Sequence, residues 1–130
     1  MAERVRHEHA FTRAAWTAAL LLTLLPSPAP AEEKDGQMAF NNHCRTCHST
    51  REGDDRLGPS LHGIVGRKAG ATEFRYSDAL AKAEFAWTED RLDAFIEDPD
   101  SVVTGHRMKP YAGIGDADLR RAIVGFLATK

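Results

Sequence analysis

The chain contains only two cysteines, and both lie in the short segment Cys44-Arg45-Thr46-Cys47-His48. Two cysteines cannot build the set of disulfides that holds many small secreted folds together. On a helical turn, positions i, i+3 and i+4 share one face. Cys44, Cys47 and His48 can therefore all reach one flat group, and this constrains the fold more than any other sequence feature.

The pattern C-x-x-C-H is typical of the covalent attachment of c-type haem. The two thiols add to the haem vinyl groups as thioethers, and the histidine that follows is placed to bind the iron. We therefore predict one haem c as cofactor, covalently bound through Cys44 and Cys47, with His48 as an iron ligand. The covalent thioether bonds would keep the haem attached if the protein is exported from the cell.

Three other kinds of site stay open for the two cysteines. A thioredoxin-like thiol redox site needs a βαβ setting, and the sequence has no strand pattern before Cys44. A structural zinc site needs four nitrogen or sulfur ligands, and a second spaced pair is missing. A disulfide between Cys44 and Cys47 would be short and strained.

A second iron ligand has to come from a distant part of the chain. Met108 lies in an irregular segment between two predicted helices, and we predict that its thioether is this ligand. Met38 lies close before Cys44 and is better placed to pack than to reach the iron. His106 and His62 are the competing ligands. Ligation by two histidines would lower the reduction potential, because a thioether favours ferrous iron.

Residues 1–31 have the pattern of a secretory signal peptide: arginines, an uncharged apolar segment at 14–25, and small residues ending at Ala31. The apolar segment is shorter than the roughly 20 residues of a membrane-spanning helix. Cleavage after Ala31 would leave a monohaem domain at 32–130 in the periplasm. A retained membrane anchor and a buried helix of the domain are the alternatives.

The composition fits one small domain, with 130 residues, 28% charged residues and a net charge of −2. This charge argues against a nucleic-acid-binding protein that relies on bulk positive charge. Apolar positions follow a helical period in short segments, glycine-rich stretches separate them, and no long alternating strand is visible. We predict an all-α fold, with short helices and long loops wrapped around the haem.

The predicted helices are short and have recognisable ends. They cover 35–44, 76–84, a segment that Thr88 caps and Pro99 ends, and a last segment that Asp116 caps. The segment after Thr88 has apolar residues at helical spacing: Leu92, Phe95 and Ile96. The last segment carries the most regular apolar stripe: Leu119, Ala122, Ile123, Phe126 and Leu127.

Further motifs follow one another in a specific order over most of residues 35–128. They are Gly36, Phe40, C-x-x-C-H, Gly58-Pro59-Ser60-Leu61-His62-Gly63, Gly66-Arg67-Lys68, Phe74-Arg75-Tyr76-Ser77-Asp78-Ala79, Trp87, Pro99, Gly105-His106-Arg107-Met108 and Phe126-Leu127. Together they resemble the class I cytochromes c, of the mitochondrial cytochrome c and bacterial cytochrome c2 type.

The resemblance implies a particular arrangement of the two terminal helices. The first and last helices should cross, with Gly36 and Gly125 allowing close approach beside Phe40 and Phe126. The cytochrome c fold, with one haem between these helices and the loops, is the fold that it implies.

The resemblance also implies roles around the haem. The Pro59 carbonyl should accept a hydrogen bond from the His48 ring, which fixes the ring's tautomer and raises its donor strength. Arg67, Tyr76 and Trp87 are the expected partners of the buried haem propionates, because a buried carboxylate needs such partners.

The function implied by the resemblance is that of a soluble, monomeric electron carrier, and not of an enzyme. Its partners would be respiratory or photosynthetic redox proteins, such as a cytochrome bc1-type complex, an oxidase, a reaction centre or a dehydrogenase. A dedicated cytochrome c subunit of a periplasmic dehydrogenase or oxidase complex is the alternative. No nucleic acid is expected as a partner, and no membrane unless the signal is retained.

Overall fold

The computed structural model describes residues 30–130, which contain five α-helices: α1 (Pro30–His43), α2 (Asp78–Ala81), α3 (Glu89–Glu97), α4 (Pro99–Val102) and α5 (Ala117–Ala128). Within this part of the chain there is no strand, only an isolated antiparallel bridge between Lys68 and Ala86. The all-α prediction is confirmed. The predicted signal peptide falls almost entirely on residues outside the described part, and no described helix is long and apolar enough to cross a bilayer.

α1 and α5 pack against each other, and Gly36 lies at a close approach between them. A Cβ at this position would lie 2.5 Å from the Ala122 carbonyl oxygen and 2.7 Å from the Phe126 Cβ. The Phe40 and Phe126 rings meet beside it, with their centroids 5.5 Å apart. The predicted crossing of the first and last helices is present, and Gly36 is the residue that permits it.

The prediction that Gly125 also permits close approach is wrong. A Cβ built on Gly125 would have no heavy atom within 4 Å, and the residue is exposed. Gly125 directly precedes the buried Phe126, and successive residues of a helix point about 100° apart. At this angle Gly125 falls on the side of α5 opposite its buried residues, which are Arg120, Ile123, Val124, Phe126 and Leu127, and so it faces solvent.

α3 and α5 begin at the predicted caps. The Thr88 side chain accepts a hydrogen bond from the Arg91 N–H, and the Asp116 carboxylate accepts from the Asp118 and Leu119 N–H groups. These caps satisfy donors that a helix leaves unpaired in its first turn. Six predicted apolar residues of the two helices are buried in the core: Leu92, Phe95, Ile96, Ile123, Phe126 and Leu127.

Three helices differ from the sequence-based expectation. α1 begins at Pro30, where a proline suits the first helical turn and Glu32 and Glu33 complement the helix dipole. α2 is a single turn that begins after Ser77 and buries none of its residues, so little packing supports a longer helix. Pro99 does end α3, but its fixed φ angle also begins α4.

Arg120 of α5 is a buried charged residue that the apolar pattern does not reveal. Its Nε lies 3.0 Å from Asp93 Oδ1 of α3, and its Nη1 lies 3.4 Å from Glu97 Oε1. The same Nη1 donates to the Ile114 carbonyl at 2.8 Å. Arg120 therefore joins α5, α3 and the segment that precedes α5.

The helix crossing gives a matched pair of glycine-to-alanine variants. Gly36→Ala should lower the free energy of unfolding by about 1–3 kcal/mol, because the new methyl group overlaps a backbone oxygen of α5. Gly125→Ala should raise it by about 0.5–1 kcal/mol, because alanine favours the helix and meets nothing. Denaturant unfolding followed by circular dichroism measures both. Equal changes in the two variants would contradict the described crossing.

Candidate functional site

The two cysteines lie on a turn that continues from the end of α1. The Cys44 N–H donates to the Phe40 carbonyl at 2.8 Å, and the Cys47 and His48 N–H groups donate to the Cys44 carbonyl at 3.1 and 2.9 Å. Both cysteines are half-buried free thiols. Because Phe40 belongs to the α1–α5 crossing, the packing of these helices also fixes the position of the turn.

The electrostatics of this turn do not favour a thiol redox site. Burial, followed by the charge of Cys47, raises the pKa of the Cys44 thiol to about 11. Reactive thiols of such enzymes have a lowered pKa, often at a helix N-terminus. Cys44 instead follows a helix C-terminus, where the dipole opposes negative charge. The described residues also contain no strand that could precede the motif in a βαβ unit.

A structural zinc site also finds no support. Across residues 30–130, no group of three or more histidine, cysteine, aspartate or glutamate side chains is arranged to hold a metal ion. Cys44, Cys47 and His48 thus do not form the compact ligand set that structural zinc requires.

The buried His48 ring is held in one tautomer. Its Nδ1 lies 2.8 Å from the Pro59 carbonyl oxygen, which can only accept, so Nδ1 carries the proton. The predicted hydrogen bond is therefore present. Burial lowers the pKa of His48, and the hydrogen bond to Pro59 opposes this to a smaller extent. The ring is thus kept neutral, with the Nε2 lone pair available to a metal ion.

Gly58 forms a close support for the His48 ring. A Cβ on Gly58 would overlap three atoms of the imidazole. The Gly58 N–H donates to the Cys47 carbonyl at 2.8 Å, which ties the loop to the cysteine turn. Any side chain at position 58 would therefore push the ring away from the Pro59 carbonyl.

Arg67 also stabilises the loop that contains Gly58 and Pro59. Its Nη1 donates to the His62 carbonyl at 2.8 Å, and its Nη2 donates to the Ser60 carbonyl at 2.9 Å. The His62 ring is exposed and lies 3.3 Å from the Thr50 carbonyl oxygen. His62 thus belongs to the loop that holds Nδ1 of His48, which does not favour it as a ligand from the opposite side.

His106, the second competing ligand, has both ring nitrogens in contact with other protein groups. Its Nδ1 accepts a hydrogen bond from the Met108 backbone N–H at 3.0 Å, and its Nε2 lies 3.4 Å from Asp100 Oδ1. The Met108 side chain is half-buried and packs against the apolar core. These contacts do not favour the His106 ring as a metal ligand, and ligation by Met108 stays a prediction.

Tyr111, three residues after Met108, ties its segment to the end of α3. Burial raises the pKa of Tyr111 to about 12, and the charge of the nearby Cys44 contributes in the same direction. The Tyr111 hydroxyl donates to the Ile96 carbonyl at 2.6 Å. Sequence reasoning did not single out Tyr111; an aromatic residue soon after Met108 in a loop is the only signal it offers.

Trp87 and Tyr76 are placed by aromatic and polar contacts. Trp87 is buried, and its ring meets the Phe85 and Phe95 rings edge to face, with centroids 5.0 Å apart in both pairs. The Tyr76 hydroxyl forms a hydrogen bond of 2.7 Å with Thr72 Oγ1. Their contacts with haem propionates, and that of Arg67, stay predictions.

The donor set of the site fits a covalently bound haem c. Two free thiols lie on one turn, a buried imidazole is held with Nδ1 on the Pro59 carbonyl, and a half-buried thioether packs against the core. Thiols suit thioether formation with vinyl groups, and imidazole with thioether is a known pair of axial iron ligands.

Comparison with known proteins finds similarity to cytochromes c. A family profile described as Cytochrome c matches residues 33–129. The chain is 36% identical over 104 residues to cytochrome c2 of Rhodopila globiformis, which covers 79% of this chain and 97% of that protein. It is 38% identical over 87 residues to cytochrome c2 iso-2 of Magnetospirillum molischianum, which covers 66% of this chain and 89% of the relative.

A solved structure has a similar fold. Cytochrome cH from Methylobacterium extorquens superposes with a TM-score of 0.67 at 35% sequence identity, over 75% of this chain and 98% of that chain. The matched part of the sequence includes both cysteines, His48, Pro59 and Met108, because all five lie within residues 33–129.

Gly58→Ala should displace the His48 ring and lower the free energy of unfolding by about 1–3 kcal/mol, because the methyl group overlaps the imidazole. Denaturant unfolding measures the change. Gly115→Ala is the control, since a Cβ at Gly115 meets nothing within 4 Å, and its effect should stay within about 0.5 kcal/mol. If Gly58→Ala is as stable as this control, Gly58 does not support the ring.

Proposed function

Because the chain belongs to the cytochrome c family, whose members are electron carriers and not enzymes, we propose that it is a one-electron shuttle with one haem c. The observation that carries this proposal is the His48 ring, which follows two free thiols and is fixed by Pro59 with Nε2 available. Cys44 and Cys47 would hold the haem as thioethers. When bound, the haem iron supplies the change between ferrous and ferric states.

His48 and Met108 would bind the haem iron. The hydrogen bond from Nδ1 to the Pro59 carbonyl orients the imidazole and increases its donor strength towards a metal. The Met108 thioether favours the reduced metal and raises the reduction potential relative to a second histidine. The engagement of both His106 ring nitrogens supports Met108 over His106.

The surrounding residues would exclude water and balance charge. The aromatic contacts of Trp87 with Phe85 and Phe95 build a dry interior beside the segment that carries Met108. We assign Arg67, Tyr76 and Trp87 to the haem propionates, since a buried carboxylate is stabilised by such donors. No group in this site needs to act as nucleophile, acid or base, because the reaction is the transfer of an electron.

We propose that the protein works as a periplasmic monomer between a redox-protein donor and a redox-protein acceptor. The similarity to bacterial cytochromes c2 and the signal-like pattern of residues 1–31 support this location. Gel filtration of the protein purified from its host tests the independent shuttle. Elution as a single small species is expected, whereas stable co-purification with a dehydrogenase or oxidase would favour the dedicated subunit.

Covalent haem attachment is tested by an absorption spectrum and by acid–acetone extraction. The protein from a host that matures c-type cytochromes should show a ferrohaem c spectrum, and the colour should stay with the protein after extraction. The double variant Cys44→Ser/Cys47→Ser should lose the colour on extraction, because serine cannot form the thioethers. A colourless, folded parent protein would end the proposal.

Met108→Ala should lower the reduction potential and abolish the far-red absorption band of the oxidised protein, because the thioether ligand is gone. The reduced variant should also bind carbon monoxide more readily than the parent. Met38→Ala is the matched control: this side chain is exposed on α1, and its removal should leave the band and the potential unchanged. If carbon monoxide binding does not increase in Met108→Ala, Met108 is not the ligand.

A further inference from the structure

We propose that His106 is a positioning residue for Met108: its imidazole accepts the Met108 backbone N–H and thereby sets where the thioether is presented. The inference rests on the proposed ligation of iron by Met108. It assigns to His106 a role different from that of the competing ligand considered from the sequence.

The contact is made to the ligand residue itself. His106 Nδ1 lies 3.0 Å from the Met108 backbone nitrogen. The neighbouring N–H groups of this segment donate to backbone carbonyls, that of His106 to Val103 at 3.2 Å and that of Lys109 to Arg107 at 2.9 Å. The Met108 N–H thus has a side chain as its partner, so its position depends on the identity of residue 106.

The His106 ring is itself held by two helices. Because Nδ1 accepts, the neutral ring carries its proton on Nε2, which lies 3.4 Å from Asp100 Oδ1 of α4. Its edge packs against the Phe95 ring of α3, with centroids 5.8 Å apart. The side chain is only 1% exposed, so water does not compete for these contacts. The ring therefore connects Met108 rigidly to α3 and α4.

Arg107 and Lys109, on either side of Met108, also contact other parts of the chain, but these contacts are exposed. Lys109 Nζ lies 3.8 Å from Asp100 Oδ2, and the Arg107 guanidinium donates to the Arg75 and Tyr76 carbonyls. Exposed ion pairs contribute little to stability, and water competes for exposed hydrogen bonds such as those of Arg107. The buried His106 ring is thus the contact best able to hold the Met108 backbone in one place.

Two amide variants separate this role from simple packing. In His106→Asn, the side-chain oxygen can occupy the position of Nδ1 and accept the Met108 N–H. In His106→Gln, the amide reaches the position of Nε2 and faces Asp100, but nothing replaces the acceptor. Both replacements are neutral and polar, so a difference between them reports on the Met108 contact.

The two measurements report on the bond between Met108 and the iron, and not only on the stability of the fold. In His106→Gln, the far-red band of the oxidised protein should disappear at a lower denaturant concentration than in the parent, well before global unfolding. Carbon monoxide binding to the reduced protein should increase by about tenfold, the effect of losing one buried hydrogen bond. His106→Asn should stay within about twofold of the parent. His62→Gln, at an exposed histidine, should match the parent.

The outcomes distinguish this inference from the ligation on which it rests. A parent protein without the far-red band would refute Met108 ligation and, with it, the role of His106. A parent with the band, together with equal behaviour of the Asn and Gln variants, would refute the role of His106 alone.

If a variant does not fold, a measurement on the parent protein still tests the proposal. Nitrogen-15 NMR of the histidine rings should show His106 protonated at Nε2, with Nδ1 as an acceptor, and slow exchange of the Met108 amide proton. A ring protonated at Nδ1 would overturn the proposal.

Discussion

The contact between α1 and α5 at Gly36 determines the position of the cysteine turn and, through it, of the His48 ring. The cysteine turn continues directly from α1, and its first hydrogen bond is made to Phe40, which packs on Phe126 of α5. The His48 ring extends from this turn and rests on Gly58 and Pro59. A shift of the helix pair would therefore move both thiols and the imidazole together.

Two separate parts of the structure support the proposed iron ligands. His48 is held by the loop that contains Gly58 and Pro59, and Arg67 ties that loop together through two of its carbonyl groups. Met108 is held by α3 and α4 through the buried His106 ring. Each ligand thus depends on its own set of contacts, so that one can be altered while the other stays in place.

The features that the sequence predicted well depend on interactions between residues that are close together in the chain. The caps at Thr88 and Asp116 and the apolar faces of α3 and α5 follow from side chains close in sequence, and the C-x-x-C-H motif needs only one turn. The wrong and missing predictions concern contacts between different helices and loops. The predicted apolar face of α5 already turns Gly125 towards solvent, so the expectation of close approach there did not follow from the helix pattern. Arg120 and Tyr111 were missed because their partners lie on other elements.

The α1–α5 contact also has a consequence for the order in which the protein forms. α5 follows every other described helix along the chain, so Gly36 has no surface to pack against until nearly all of these residues have been synthesised. Contacts between distant parts of a chain form slowly, because a long loop has to close first. The cysteine turn should therefore stay accessible in a partly formed chain, and become enclosed only when the last helix packs against α1.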